Sequence, residues 1–302
     1  MADHMSGSEV AITAGGYRAR VVTVGAGLAG LTLEGHDLVL PHSVDEVPPA
    51  WKGKVLLPWP NRITEGRYTW QGEHLEVPVN EHATGAALHG LMGWVEWEVV
   101  GTGADRVVLE AFVAPRYGYP WPLRARASYS LDAATGLRVD ITATNVGTST
   151  APYGSSSHPF LTLDRAVVDG CELSVPAEQV LEVDEVLAPV ALRDVASLGL
   201  DLRTPVVLGD RSVDHAFTGL PEGEWTVTLR DPSTGAAVGI TSDAPWVQVY
   251  SGELVGRRGV AVEPMTCAPD AFNSGMGLVE LEPGQSHTLT YTVTGSPSPS
   301  PR

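Results

Sequence analysis

Short runs of alternating apolar and polar residues, each ending at a turn, recur along almost the whole chain. Val, Thr, Leu, Tyr and Trp dominate these runs, and Gly, Pro, Asn or Asp stand between them, which is typical of β-strands joined by tight turns. The runs at 94–100 and 106–113 flank a Gly-Thr-Gly turn, and those at 123–131 and 137–144 flank a turn that ends at Gly136. Such pairs predict antiparallel β-hairpins. Further strands are predicted at 17–24, 27–33, 37–40, 67–70, 74–77, 225–230, 236–241 and 287–293.

Helical patterns are scarce in this chain. Residues 188–200 have a weak helical pattern, but Pro189 and Gly199 shorten it. No strand–helix repeat runs along the sequence, which argues against a parallel α/β fold. The chain is therefore predicted to be all-β, a large antiparallel β-sandwich or barrel with few short helices.

The length of 302 residues fits one large domain or two modest ones. No Pro/Gly/Ser-rich linker and no repeat of fixed period divides the chain, so a single domain is predicted over residues 11–294. Residues 1–10 are predicted to be a disordered N-terminal segment or a cloning remnant. Residues 295–302, which read GSPSPSPR, are predicted to be a disordered tail.

One glycine motif invites a nucleotide-binding interpretation. Gly25 to Gly30 matches the dinucleotide fingerprint GxGxxG and follows an apolar run. That fingerprint needs a helix whose N-terminus meets the pyrophosphate. The residues that follow, 31–37, instead alternate like a strand and then turn. The glycines are therefore predicted to form a tight turn between antiparallel strands.

Charge and cysteine content narrow the class of partner. A formal net charge of -17 and a pI of about 4.8 argue against binding to nucleic acids or anionic membranes. No apolar run is long enough to span a bilayer, and the N-terminus lacks the regions of a signal peptide. With two cysteines, a disulfide framework is excluded. A cytoplasmic location without a cofactor is expected.

The segment 259–273, GVAVEPMTCAPDAFN, contains the most informative carboxylate. Glu263 follows a short apolar run, and Pro264 restricts it to extended backbone angles. We expect this acid at the end of a strand, where apolar neighbours would raise its pKa and make it a useful general base. An ordinary solvated glutamate at a strand end is the alternative.

Four other short segments carry polar side chains among apolar neighbours. Asn61 and Arg62 follow a rigid Pro-Trp-Pro run, and the Arg fork suits sugar hydroxyls or carboxylates. His89 and His158 could form an acid/base set with a carboxylate near neutral pH. Asp214 begins a further apolar segment. The structural alternatives are a loop-anchoring arginine, buried core histidines and a turn-capping aspartate.

Metal and serine-hydrolase signatures are missing from the sequence. His74, His82 and His89 are too far apart to form a local ligand set, and neither HExxH nor CxxC occurs. There is also no GxSxG nucleophile elbow. No metal site is predicted.

Taken in order, five of these segments resemble one family. NRI at 61–63, HGL at His89, HPF at His158, DHAF at Asp214 and VEPMTCAPDAF around Glu263 are similar to the motifs of the aldose 1-epimerases, or galactose mutarotases. The resemblance spans residues 21–293. It implies a large antiparallel β-sandwich, the galactose mutarotase-like supersandwich, in agreement with the strand pattern.

The resemblance also implies roles for the candidate residues. Glu263 would be the general base that takes the proton of the anomeric O1 hydroxyl, and His158 the general acid that protonates the ring oxygen. The substrate-binding residues would be Arg62, His89 and Asp214, together with Asn61. The expected partner is a small monosaccharide, the expected assembly a monomer or homodimer, and no metal or cofactor is used.

The substrate is left open by one departure from the family pattern. Well-characterised members commonly carry an Asn shortly after the acid His, whereas this chain reads HPFLTL from His158. A free aldohexose is the expected substrate. A hexose 6-phosphate 1-epimerase and a non-catalytic sugar-binding protein are the alternatives. Trp59, Trp246 and Tyr250 could offer a platform for the sugar or belong to the core.

Overall fold

The computed structural model describes residues 4–296, and this part of the chain is almost entirely β-structure. It contains one short α-helix, Ala271–Ser274, and 3-10 turns at Pro49–Trp51, Thr64–Gly66, Val168–Gly170, Val195–Leu198 and Glu253–Val255. The strands are β1 (Glu9–Ala14), β2 (Tyr17–Val22), β3 (Gly27–Leu33), β4 (His36–Val39), β5 (Val55–Leu56), β6 (Arg62–Ile63), β7 (Arg67–Trp70), β8 (Glu73–Glu76), β9 (Ala87–Leu88), β10 (Glu98–Thr102), β11 (Arg106–Val113), β12 (Leu123–Asp132), β13 (Gly136–Asn145), β14 (Ala151–Tyr153), β15 (Ser156–Ser157), β16 (Phe160–Leu161), β17 (Glu172–Ser174), β18 (Gln179–Val183), β19 (Pro189–Asp194), β20 (Val206–Val207), β21 (Asp214–Thr218), β22 (Trp225–Arg230), β23 (Ala237–Ser242), β24 (Trp246–Tyr250), β25 (Val260–Met265), β26 (Val279–Leu281) and β27 (Ser286–Ser296).

Two large antiparallel sheets form a sandwich, as the alternating pattern predicted. The first sheet has the order β1-β2-β3-β4-β16-β25-β24-β21-β18-β19, with β15 joining β25 to β5. The second has the order β10-β11-β12-β13-β27-β23-β22-β17-β20. Strand β25 lies in the middle of the first sheet, where it pairs with β16 on one side and β24 on the other. Pairing on both sides fixes the positions from which its side chains project.

The core lies between the two sheets and follows from the period of two along each strand. On β12, Leu123, Ala125 and Ala127 are buried, while Arg124 and Arg126 between them are exposed. Inward side chains of both sheets join one continuous apolar cluster. Burying each large aliphatic side chain contributes about 1.5–3 kcal/mol, and this rigid sandwich provides the scaffold for the loops above the first sheet.

The predicted hairpins at 94–113 and 123–144 are confirmed, and so is the turn at the glycine motif. β10 pairs with β11 and β12 with β13. Between β2 and β3, Gly25 and Ala26 adopt positive φ values of 72° and 43°, and the two strands pair antiparallel. The GxGxxG segment therefore continues into a strand rather than a helix.

Three segments differ from what the sequence patterns indicated. Residues 188–200 form strand β19 and a 3-10 turn rather than a helix, with Asp194 capping the turn. Within the predicted disordered segment 1–10, the amide of Ser6 donates to Val44 O, and Glu9 begins β1. Within the predicted tail, residues 295 and 296 complete β27 beside β23. Residues 1–3 and 297–302 lie outside the described part.

Candidate active site

Glu263 projects from β25 away from the core between the sheets. Val260 and Val262 face that core, and the alternation of the strand therefore puts Ala261, Glu263 and Met265 on the opposite face. Two small apolar clusters flank the carboxylate there, one containing Ala261 and the other Met265. Glu263 is 1% exposed. The predicted apolar surroundings are present, but the predicted strand end is wrong, because β25 continues through Pro264 to Met265.

The backbone of His158 is fixed from a neighbouring turn. His158 lies between β15 and β16, its amide donates to Lys54 O at 3.0 Å, and the Gly53 amide donates to His158 O at 2.8 Å. The imidazole stacks on Phe160 with a centroid distance of 5.1 Å. Its Nε2 lies 3.4 Å from Glu263 Oε1. The two residues predicted as acid and base are thus buried neighbours.

Burial shifts the pKa values of this pair in opposite directions. It raises the pKa of Glu263 well above its usual range; the Asp214 charge adds to this and Arg62 opposes it. Burial lowers the pKa of His158 to about 3. Both shifts disfavour the charged forms. Because the groups lie so close, their protons titrate as a pair, and the state that carries one proton can hold it on either residue.

His89 and Asn61 fix each other through their backbones. The Asn61 amide donates to His89 Nδ1 at 3.2 Å, and the His89 amide donates to Asn61 O at 2.7 Å. Both residues have positive φ, 52° and 63°, which is uncommon for residues other than glycine. Because Nδ1 accepts a hydrogen bond, Nε2 carries the proton of the neutral ring. The His89 and His158 rings pack edge-to-face, with centroids 5.2 Å apart.

Arg62 is held as a rigid fork by three acceptor contacts. Its Nε and Nη2 donate to the two carboxylate oxygens of Glu81 at 2.6 and 2.8 Å, and Nη1 donates to Asn61 Oδ1 at 3.3 Å. The Thr84 hydroxyl donates to Glu81 at 2.5 Å. Burial alone would raise the pKa of Glu81, but these hydrogen bonds lower it below its usual range. The guanidinium therefore retains free donors, while its charge is largely compensated.

Asp214 and Gln248 extend the polar row across the first sheet. Gln248 on β24 lies opposite Glu263 on β25, and its Nε2 donates to Asp214 Oδ1 at 2.6 Å. Burial raises the pKa of Asp214, partly offset by Arg62 and by this hydrogen bond. The Asp214 carboxylate, the Gln248 amide and the Arg62 guanidinium thus offer hydrogen-bond acceptors and donors to the same cavity.

A cavity of about 290 Å³ brings the candidates together. All six residues singled out from the sequence line it: Asn61, Arg62, His89, His158, Asp214 and Glu263. Other lining residues were not predicted from the sequence and reach the cavity from separate loops and strands: Trp51, Glu81, Thr84, Leu187, Gln248 and Leu254.

Of the three aromatic residues considered as a platform, only Tyr250 lines the cavity. Trp59 lies in the core between the sheets, where it packs against Phe272, and Trp246 belongs to one of the small clusters beside Glu263. Trp51 lines the cavity instead. Its neighbours in sequence, Ala50 and Lys52, gave no sign of this, because the position depends on a turn packed against a distant histidine.

Three of the cavity residues also have the spacing of a metal site. One ligand atom from each of His89, His158 and Glu263 lies within 4.8 Å of the others, a donor set that suits zinc. Ligation through His89 Nε2 would require the other tautomer and the loss of the Asn61 hydrogen bond. The donor set is therefore better prepared for hydrogen bonding and proton transfer than for a metal.

No helix within residues 4–296 is long and apolar enough to cross a bilayer.

The fold agrees with comparisons to known proteins. The family model "Aldose 1-epimerase" matches residues 8–294, and the chain belongs to this family. The uncharacterised protein YihR of Escherichia coli (strain K12) is 46% identical over 292 residues, covering 97% of this chain and 94% of YihR. Galactose mutarotase of Rattus norvegicus is 27% identical over 215 residues, covering 65% of this chain and 60% of the rat protein.

Solved structures agree with the same fold. The GalM/aldose epimerase homologue from C. elegans superposes with a TM-score of 0.88 at 22% identity, covering 97% of this chain and 99% of the other. Galactose 1-epimerase from Lactobacillus acidophilus NCFM superposes with a TM-score of 0.83 at 20% identity, covering 95% and 94%. Similarity at these identities establishes the galactose mutarotase-like fold.

Proposed function

We propose that this protein is an aldose 1-epimerase that interconverts the α and β anomers of a free aldohexose such as glucose or galactose. The observation that carries the proposal is the buried pair of Glu263 and His158, 3.4 Å apart at a cavity that also holds Arg62, His89 and Asp214. One acid, one base and a set of hydrogen-bonding groups are what anomer exchange requires.

The proposed reaction needs two proton transfers and no covalent intermediate. The Glu263 carboxylate accepts the proton of the O1 hydroxyl while protonated His158 donates to the ring oxygen. The C1–O5 bond breaks and C1 becomes the aldehyde carbon. Rotation about C1–C2 presents the other face, and reversal of both transfers closes the ring. Mutarotation already proceeds in water, so an acid and a base that each contribute about 10²–10⁴-fold suffice.

The remaining cavity residues would hold the sugar. The free donors of Arg62 and the Nε2–H of His89 can reach hydroxyl or ring oxygens, and Asp214 with Gln248 can accept from and donate to hydroxyls. Asn61 supports this set by holding both His89 and Arg62. Among the described residues that line the cavity, Arg62 is the single Lys or Arg, and Glu81 compensates its charge. This supports a neutral hexose over a hexose 6-phosphate.

Anomer exchange measured on a sugar panel tests the proposal. Freshly dissolved α-glucose, α-galactose and glucose 6-phosphate are followed by polarimetry, with EDTA present throughout because no metal is expected. Faster exchange of the neutral hexoses than in buffer supports the proposed activity. A preference for the phosphorylated sugar would select the hexose 6-phosphate 1-epimerase. Binding of hexose by calorimetry without acceleration would select a non-catalytic sugar-binding protein.

A further inference from the structure

A single turn supports both histidines that line the cavity. The segment from Pro49 to Lys54 is closed by a hydrogen bond from the Lys54 amide to Trp51 O at 3.0 Å. Gly53 and Lys54 make the two backbone hydrogen bonds that fix His158. The same turn presents the Trp51 ring to the other histidine, with its centroid 5.1 Å from that of His89 in an edge-to-face arrangement.

The Trp51 ring is braced from behind. Trp94 packs against it with a centroid distance of 5.0 Å, and the Lys54 ammonium lies 5.1 Å above the Trp94 ring. Gly93 leaves room for the indole, because a Cβ at that position would lie 2.7 Å from Trp51 Cζ3. The ring is thus packed into a defined place although part of it borders the cavity.

The backbone of the turn is strained where it presents this ring. Ala50 and Trp51 are consecutive non-glycine residues with positive φ values of 51° and 54°. Such residues cost of the order of 1–3 kcal/mol each and persist where the surrounding structure holds them. Within residues 4–296, the aromatic side chains other than histidine that line the cavity are Trp51 and Tyr250, and Tyr250 comes from β24 rather than from this turn.

We propose that Trp51 is an aromatic platform of the sugar site, which contacts an apolar C–H face of the pyranose and fixes the ring of His89. The proposal rests on the proposed epimerase function and adds to it a binding residue. Pyranoses expose patches of C–H bonds with partial positive charge, and the negative face of an indole attracts such patches while it excludes water. Braced by Trp94, the ring loses little entropy on binding.

The test compares three variants with one control. Trp51→Ala removes the platform, Trp51→Phe shortens it, and Gly93→Ala pushes the indole aside without replacing any residue that lines the cavity. Trp70→Phe removes a tryptophan that packs against Trp121 away from the cavity and serves as the control. The readouts are KM and kcat for anomer exchange, thermal unfolding, and the change in tryptophan fluorescence on adding glucose or galactose.

We expect KM to rise about tenfold in Trp51→Ala and about two- to threefold in Trp51→Phe, in line with the size of an aromatic contact. Gly93→Ala is expected to raise KM as well, with kcat changing less. The fluorescence response of the wild type should disappear in Trp51→Phe and persist in Trp70→Phe.

The outcomes separate this inference from the proposed function. If the wild type exchanges anomers and the folded variants at positions 51 and 93 keep its KM and its fluorescence response, Trp51 is not a platform. If the wild type does not exchange anomers, but hexose changes its fluorescence and not that of Trp51→Phe, the platform holds and the epimerase activity fails. Should Gly93→Ala not fold, the two substitutions of Trp51 still decide the question.

Discussion

The side chains of Glu263 and His158 are isolated from water but not from each other, and this defines their proposed roles. Glu263→Gln keeps the shape and hydrogen bonding of the side chain but removes the base, and His158→Asn does the same for the acid. Each is expected to lower kcat by about 10²–10⁴-fold and to change KM much less, because the lost interaction belongs to the transition state. Coupled anomer assays measure both constants. A folded Glu263→Gln variant with near wild-type kcat would overturn the assignment.

The same pair determines the expected pH dependence. The active form carries one proton, so a second proton at low pH removes the base and loss of the proton at high pH removes the acid. The rate should follow a bell-shaped profile whose limbs belong to the pair rather than to either residue. In His158→Asn the residual activity should lose its basic limb. Its acidic limb should move to higher pH, because burial raises the Glu263 pKa and no imidazole is left to take the proton.

At the level of elements, the loop that carries Glu81 completes a site built mainly on strands. Arg62→Ala removes the fork and is expected to raise KM about 10- to 100-fold, with a smaller effect on kcat, since hydrogen bonds from a charged donor are worth about 1.5–3 kcal/mol. Glu81→Gln keeps the fork in place with a weaker partner and should raise KM only severalfold. Glu65→Gln, which changes an exposed partner of Arg67, is the matched control. Unchanged KM in Glu81→Gln would mean that the ion pair does not position Arg62.

The lengths of the strands explain which elements could be predicted from the sequence and which could not. The long strands β12 and β13 of the second sheet were predictable, because each has 10 residues in which apolar and polar positions alternate. Two-residue strands such as β6 and β9 are too short to show an alternating pattern, so they could not be predicted. Arg62 and His89 could be found from short motifs, whereas Glu81 and Gln248 contact the site through loop closure and strand register. Neither property is encoded in the residues next to them.

At the scale of the whole molecule, the buried charge of Lys54 is expected to lower the free energy of unfolding. The Lys54 side chain is fully buried. Its ammonium donates a hydrogen bond to Val24 O at 2.7 Å and lies near the ring of Trp94, and it has no carboxylate partner among residues 4–296. Burial lowers the pKa of Lys54 to about 8, below its value of about 10.4 in an unfolded chain. The folded state therefore binds this proton more weakly than the unfolded state does.

The sign of the pH effect follows from this difference. Below about pH 8 the native state carries the buried charge and bears its full cost; between about pH 8 and 10.4 it releases the proton, and the cost declines. Lys54→Met should thus raise the free energy of unfolding by about 1–3 kcal/mol at pH 7, and its advantage should shrink by pH 9.5. Urea denaturation at both pH values measures the free energy of unfolding. Lys52→Met is the control, because the Lys52 ammonium lies 3.9 Å from a carboxylate oxygen of Glu46. A Lys54→Met variant less stable than the wild type at pH 7 would mean that the Val24 and Trp94 contacts outweigh the desolvation of the ammonium.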